Sequence, residues 1–115
     1  MADAADFTVV QQGDVMILRF DIDNLLGILD VNRVGNALNH LITEGSKKVI
    51  FDMQMVRYAG SAALGMLLSI AKDLAAKGGK LVLCRTTHID ALLKVSRMRG
   101  VFDVALDPAA ATLMF

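Results

Sequence analysis

The stretch from Val49 to Ala75 reads VIFDMQMVRYAGSAALGMLLSIAKDLA and decides the fold. It opens on Val49-Ile50-Phe51, a run of strand formers stopped by Asp52. A mixed loop through Tyr58 reaches the small-residue turn Gly60-Ser61, and a long apolar segment with few breakers follows. Those residue types predict strand, loop, turn and helix, with Ser61 at the helix start. Backbone N–H groups there have no intrahelical partner, so a negative group attached to the hydroxyl would be well tolerated. At about 100° per residue, Ala63, Leu67, Ile70 and Leu74 form one stripe, expected to face a sheet. Ser61 falls about 120° from Leu67, on the outer side with Gly65, Ser69, Lys72 and Asp73. Leu64 and Leu68 are expected to border it, giving a small polar centre with an apolar rim. The plainer alternative is that Ser61 only caps the helix, since serine is favoured at that position.

Upstream of this stretch, residues 1–6 (MADAAD) are small and acidic and are expected to fray, leaving 7–115 as one domain. Phe7–Val10 and Val15–Phe20 read as a hairpin around Gly13-Asp14. In the segment from Asp21 to Gly27, Asp21 and Asp23 would share one face of a strand, and Asn24 suggests a bend. Val31, Val34, Leu38, Leu41 and Ile42 recur at helical spacing, with Asp30 as candidate cap and Gly45 as C-terminal glycine. Lys47–Asp52 is the strand that leads into the central stretch.

Downstream, the helix from Ser61 should run to about Lys77 and end at Gly78-Gly79, with Lys80–Cys84 as the next strand. Thr87-His88-Ile89-Asp90 has the form of a capping box, opening a helix from His88 to about Met98. Val101–Val104 reads as a last short strand, and Asp107-Pro108 as a cap and first-turn proline for a helix through Phe115. Such alternation demands a mostly parallel sheet covered by helices. Val49 onward and Lys80–Cys84 are its expected buried central strands.

The composition narrows the function. With 115 residues, 55% apolar and 21% charged, the chain suits one domain with a modest core. Twelve basic residues balance twelve acidic ones, so nucleic acid or an anionic membrane is not an expected partner. The apolar run Ala62–Ala71 is too short to span a bilayer, and the first residues lack the pattern of a signal peptide. A lone cysteine, Cys84, cannot make an internal disulfide, which fits a reducing cytoplasm.

The central stretch also carries a resemblance. Asp52-x-x-x-Val56-x-Tyr58-x-Gly60-Ser61-Ala62-Ala63-Leu64-Gly65 resembles the signature of STAS domains, the anti-sigma-factor antagonists of bacterial partner-switching systems. That family usually has Asp or Gly at the position of Gly60, Ser or Thr at Ala62 and Gly at Ala63. Gly27-Ile28-Leu29-Asp30 likewise resembles the family's approach to its first helix, although Asp21–Leu26 is extra. The resemblance implies an α/β fold: a mixed, mostly parallel β-sheet of four to five strands covered by about four α-helices. It implies Ser61 as a phosphorylation site, with an anti-sigma factor acting as serine kinase, and a phosphatase, as partners. Asp30, Met55, Tyr58, Gly60, Ser61, Ala62, Leu64, Gly65 and Leu68 are the expected partner-binding residues. The expected protein is then a cytoplasmic signalling module of transcription regulation. It is expected to be no enzyme and to need no cofactor or metal. The alternative is a switchless STAS scaffold in a signalling or lipid-transport assembly.

Other chemistries fit the residues poorly. Ala59-Gly60-Ser61-Ala62-Ala63 looks like a nucleophile elbow with both outer glycines replaced. Its only later histidine, His88, lies in a capping turn. Gly60 to Gly65 lacks the lysine of a phosphate loop, and Gly78-Gly79 comes between helix and strand, the wrong order for a dinucleotide loop. His40 and His88 have no ligand at metal-binding spacing. Asp21 and Asp23 could hold a hard cation but read more simply as acids of a polar loop, and Lys94, Arg97 and Arg99 suit a helix C-terminus, with a partner or anionic-ligand contact as the alternative. Met53 and Met55, in the loop before Ser61, are the methionines expected at an adaptable surface.

Overall fold

The computed structural model describes residues 6–42, 45–97 and 100–115. In chain order the elements are β1 (Phe7–Gln12), β2 (Val15–Phe20), β3 (Asn24–Leu25), α1 (Ile28–Leu41), β4 (Lys48–Asp52) and β5 (Tyr58–Ala59). They continue with α2 (Ser61–Ala76), β6 (Lys80–Cys84), a 3-10 turn (Thr87–Ile89), α3 (Asp90–Val95), β7 (Asp103–Ala105) and α4 (Pro108–Thr112). Five strands make the main sheet in the order β1-β2-β4-β6-β7. β1 is antiparallel to β2, and every other neighbour is parallel. The expected mixed, mostly parallel sheet with four helices is therefore present. A second ladder, β3 parallel to β5, lies outside it.

Strand alternation sorts the side chains into two cores. Val49 and Phe51 of β4, with Leu81 and Leu83 of β6, point into the larger core beneath α1, α2 and α3. Ile50, Val82 and Cys84 point the other way, onto Ala111 of α4. Both central strands are thus covered on both faces, which is why they read as continuous apolar runs. Phe7, Phe20 and Phe51 stack edge-to-face across three strands, with ring centroids 5.3 and 5.1 Å apart. Burial, reinforced by the nearby Asp52 carboxylate, pushes the Cys84 thiol up to about 12. The thiolate is the reactive form. Iodoacetamide should therefore label native protein at least about tenfold more slowly than urea-unfolded protein. Equal rates would mean that β6 opens readily.

The glycine pair after α2 ends the helix as expected, each residue for its own reason. Gly78 has φ +78°, the left-handed conformation of a helix C-terminus. A Cβ on Gly79 would lie 2.6 Å from the carbonyl oxygen of Lys47, the residue before β4. Other boundaries differ from the sequence reading. The cap of α1 is Gly27, and Asp30 sits in the first turn, where its charge suits the helix dipole. α1 ends at Leu41, capped by Ile42, so Gly45 lies beyond it. α3 is preceded by the 3-10 turn, and the hydroxyl of Thr86, one residue earlier than expected, donates to Asp90 Oδ1 at 2.7 Å.

α3 ends at Val95; the expected end at Met98, and Arg99, lie outside the described residues. β7 is shifted two residues from the start expected at Val101, because its register with β6 pairs Val82 with Asp103. α4 stops at Thr112 and not at Phe115, although its Asp107 cap accepts from the Ala110 amide at 2.8 Å as the motif requires. At the N-terminus, Asp6 accepts from the Asp21 amide at 2.7 Å and pairs with Arg33. Residues 1–5, also expected to fray, lie outside the described residues.

Candidate functional site

The loop from β4 to α2 is fixed at both ends. Asp52 closes β4 with a buried carboxylate that accepts from the Gln54 amide at 3.1 Å and lies 3.6 Å from the Arg85 guanidinium. Arg85 also donates to Gln54 Oε1 at 2.9 Å, from a backbone with φ +51°. The Met53 amide donates to the Cys84 carbonyl at 3.0 Å, and Met53 itself is core, not surface. Farther along, the amides of Arg57 and Tyr58 both donate to the Asp23 carbonyl, at 2.9 and 3.0 Å. The segment Asp21–Leu26 therefore has a structural part to play. It supplies β3, which pairs Asn24 with Tyr58 and Leu25 with Ala59 and holds the loop directly before Ser61. Asp21 and Asp23 fall outside that strand; Asp21 instead binds Arg19 at 2.7 Å.

Gly60 occupies the N-cap of α2 and Ser61 the first helical position, so Ser61 is not the cap. No side chain caps the helix and no acid stands in its first turn. The first intrahelical bond runs from the Leu64 amide to the Gly60 carbonyl, at 3.2 Å. The amides of Ser61, Ala62 and Ala63 precede it, and the partial positive charge of the helix end is not offset by a local carboxylate. Ser61 is exposed, as are Gly65, Ser69, Lys72 and Asp73, while Ala63, Leu67, Ile70 and Leu74 are buried. The helix phase is thus as expected, save that Leu64, placed on the rim, is buried. It adjoins the sheet-facing stripe closely enough to be enclosed by it.

Several large apolar side chains are exposed on the segments that lead into α1 and α2. Leu26, Ile28 and Leu29 are 55, 65 and 81% exposed, and Met55 and Tyr58 about half exposed. Leu26 stands beside Gly60, 3.6 Å from where a Cβ would be. Ile28 and Ala62 line the same cleft of about 370 Å³ between α1 and α2. Leu26, Ile28, Gly60 and Ala62 therefore gather at the start of α2. Of the expected partner-binding residues, Met55, Tyr58, Ser61 and Gly65 are exposed and Leu68 is half-buried. Asp30 is exposed but turned to Arg33, 3.6 Å away. The ridge of Leu26, Ile28 and Leu29 was not among them. Its signal was five residues, LLGIL, with four large apolar side chains just before a helix start.

A family model for the STAS domain matches residues 6–104. The chain belongs to the STAS family. Over 75 residues, 64% of this chain and 65% of that protein, it is 32% identical to BtrV of Bordetella bronchiseptica, which is named as an anti-sigma factor antagonist. A STAS domain protein of Planctomyces limnophilus has a TM-score of 0.82 at 18% identity, covering 95% of this chain and 96% of that one. The Bacillus cell fate determinant SpoIIAA, solved in its phosphorylated form, has a TM-score of 0.67 at 15% identity, over 95% and 99%. At those identities the two structures establish the fold.

Among the described residues, no group of three or more His, Cys, Asp or Glu could hold a metal ion, and no helix is long and apolar enough to cross a membrane. Within this STAS chain Gly60 has φ −130° and ψ −168°, an extended conformation open to any residue. Gly60→Asp should therefore be accepted. It adds a cap acceptor and a carboxylate at the helix end, together worth about 0.5–1 kcal/mol. A denaturant melt should show that gain, and a loss above about 1 kcal/mol would contradict the extended backbone.

Proposed function

We propose that this STAS domain is an anti-sigma-factor antagonist switched by phosphorylation of Ser61. The observation that carries this reading is an exposed serine at the first position of an uncapped helix, beside a ridge of exposed leucine and isoleucine. In the dephosphorylated state the apolar ridge and the small residues Gly60, Ala62 and Gly65 dock an anti-sigma factor, and a sigma factor is released. Phosphorylation adds about −1.5 to −2 charge. The free amides of the first turn accept that charge, so the fold persists. A partner surface shaped to the neutral hydroxyl cannot accept it, so the complex separates. The name of BtrV and the phosphorylated SpoIIAA structure support the reading by relationship and by fold respectively.

An anti-sigma factor with serine-kinase activity would write the mark, and a phosphatase would remove it. The test is a pull-down from native extract with wild type and Ser61→Glu, followed by mass spectrometry of partners and of the serine. A kinase-type anti-sigma factor captured by wild type and lost from the glutamate variant is expected. The same partners on both baits, with no phosphate on Ser61, would end the proposal.

A further inference from the structure

β1 is the outermost strand of the main sheet, and among the described residues no strand pairs with its free side. Natural edges are usually guarded by charge, proline, a bulge or shortness. β1 has none of these. It is six residues, FTVVQQ, with an unbroken register to β2 from Phe7 opposite Phe20 to Gln12 opposite Val15. Val9 and Val10 are exposed. The charges flanking the hairpin are already paired, Arg19 with Asp21 at 2.7 Å and Asp14 with Lys48 at 2.8 Å. We propose that this edge is a self-association surface, filled by β1 of a second copy running antiparallel about a two-fold axis at Val9.

The hydrogen-bond phase sets that register. The Asp21 amide donates to the Asp6 carbonyl, and bonded and non-bonded pairs alternate along an antiparallel ladder. Thr8, Val10 and Gln12 therefore turn their amides and carbonyls toward β2, while Phe7, Val9 and Gln11 turn theirs outward. Two copies bond only where outward residues meet outward residues. Centring the axis on Val9 is the register that engages all three, with Phe7 facing Gln11 of the second copy and Val9 facing Val9. Thr8 then opposes Val10, a pair of β-branched residues, and no like charges meet. An isologous match of this kind is what a closed dimer requires. The strand fits itself without any change of sequence, which is the reason to name a second copy as the occupant. Ser61 lies on α2, whose contacts with the main sheet are to β6, the fourth strand from this edge, and no residue of the switch belongs to β1, so the inference stands apart from the switch.

Sedimentation velocity over about three decades of protein concentration tests it. The mass should rise from 12.4 kDa toward twice that value. Val9→Lys sets two ammonium groups opposite each other at the axis and should weaken the dimer at least about tenfold. Val9→Thr should leave the dimer constant within about threefold. Gln11→Pro removes an outward amide without touching the β2 ladder, and serves if the lysine variant fails its melting control. At high concentration, amide exchange should slow at Phe7, Val9 and Gln11, while Thr8, Val10 and Gln12 are protected throughout. A 12.4 kDa species at every concentration would overturn the proposal. So would a dimer indifferent to these variants, or one that leaves the three outward amides exchanging freely.

Discussion

Leu67→Asp is expected to leave the domain unfolded at room temperature. Leu67 is 1% exposed, in the middle of α2, within the larger core that α1, α2 and α3 close over β4 and β6. Truncation there to alanine would already cost about 2–5 kcal/mol by the cavity it leaves. Aspartate loses the same packing and adds a carboxylate with no polar side chain of that core to receive it. Neutralising the acid or opening a path for water adds several kcal/mol more. A domain of this size has only about 5–15 kcal/mol in total. Far-UV circular dichroism and a thermal melt read the result directly. Ser69→Asp, on the exposed face of the same helix, is the matched control and should melt within a few degrees of wild type. A cooperative transition for Leu67→Asp near the wild-type midpoint would show that α2 is rotated relative to the sheet.

How much of this architecture was legible follows from what each element depends on. β2, β6 and α2 were readable because local signals agree: an apolar run or a 3.6-residue stripe, with a turn or a glycine at the end. The boundaries that moved depend on contacts invisible to a local pattern. β7 is set by its register with β6, and α1 begins at Ile28, capped by Gly27, two residues after β3 ends at Leu25. β3 itself is two residues long, and its reason to exist is β5, more than thirty residues later. No periodicity can show that.

The candidate site divides in the same way. The positions of Ser61, Gly60 and Gly65 at a strand–loop–helix junction were readable from local pattern. Arg85 was not, since its role depends on Asp52 and Gln54 from another segment, which it reaches from a left-handed backbone. Leu26, Ile28 and Leu29 look like core in sequence; their exposure became visible only once α1 was seen to bury Val31, Val34, Ala37 and Leu38.

Changing the charge at Ser61 should alter binding strongly and stability slightly, and in opposite directions. Ser61 is exposed at the first position of α2 and is not its cap, so Ser61→Ala should cost less than the roughly 1 kcal/mol typical of a lost cap. Ser61→Glu places a carboxylate beside amides that lack intrahelical partners, in a first turn that has no acid of its own. That should stabilise the fold by about 0.3–1 kcal/mol, a gain that shrinks with added salt. Against the anti-sigma partner the order should reverse. Alanine keeps the neutral, small contact and should bind like wild type, whereas glutamate should bind at least tenfold more weakly, a loss of about 1.4 kcal/mol or more. Ser61→Gln separates the causes, since it matches glutamate in size without the charge. If charge drives release, glutamine should lie nearer alanine, and high salt should narrow the gap to glutamate. If bulk drives it, the two long side chains should bind equally poorly at every ionic strength. Dissociation constants for wild type and the three variants, with melts confirming that all are folded, decide between these outcomes. Equal affinity for alanine and glutamate would remove Ser61 from the mechanism altogether, whatever the apolar ridge beside it binds.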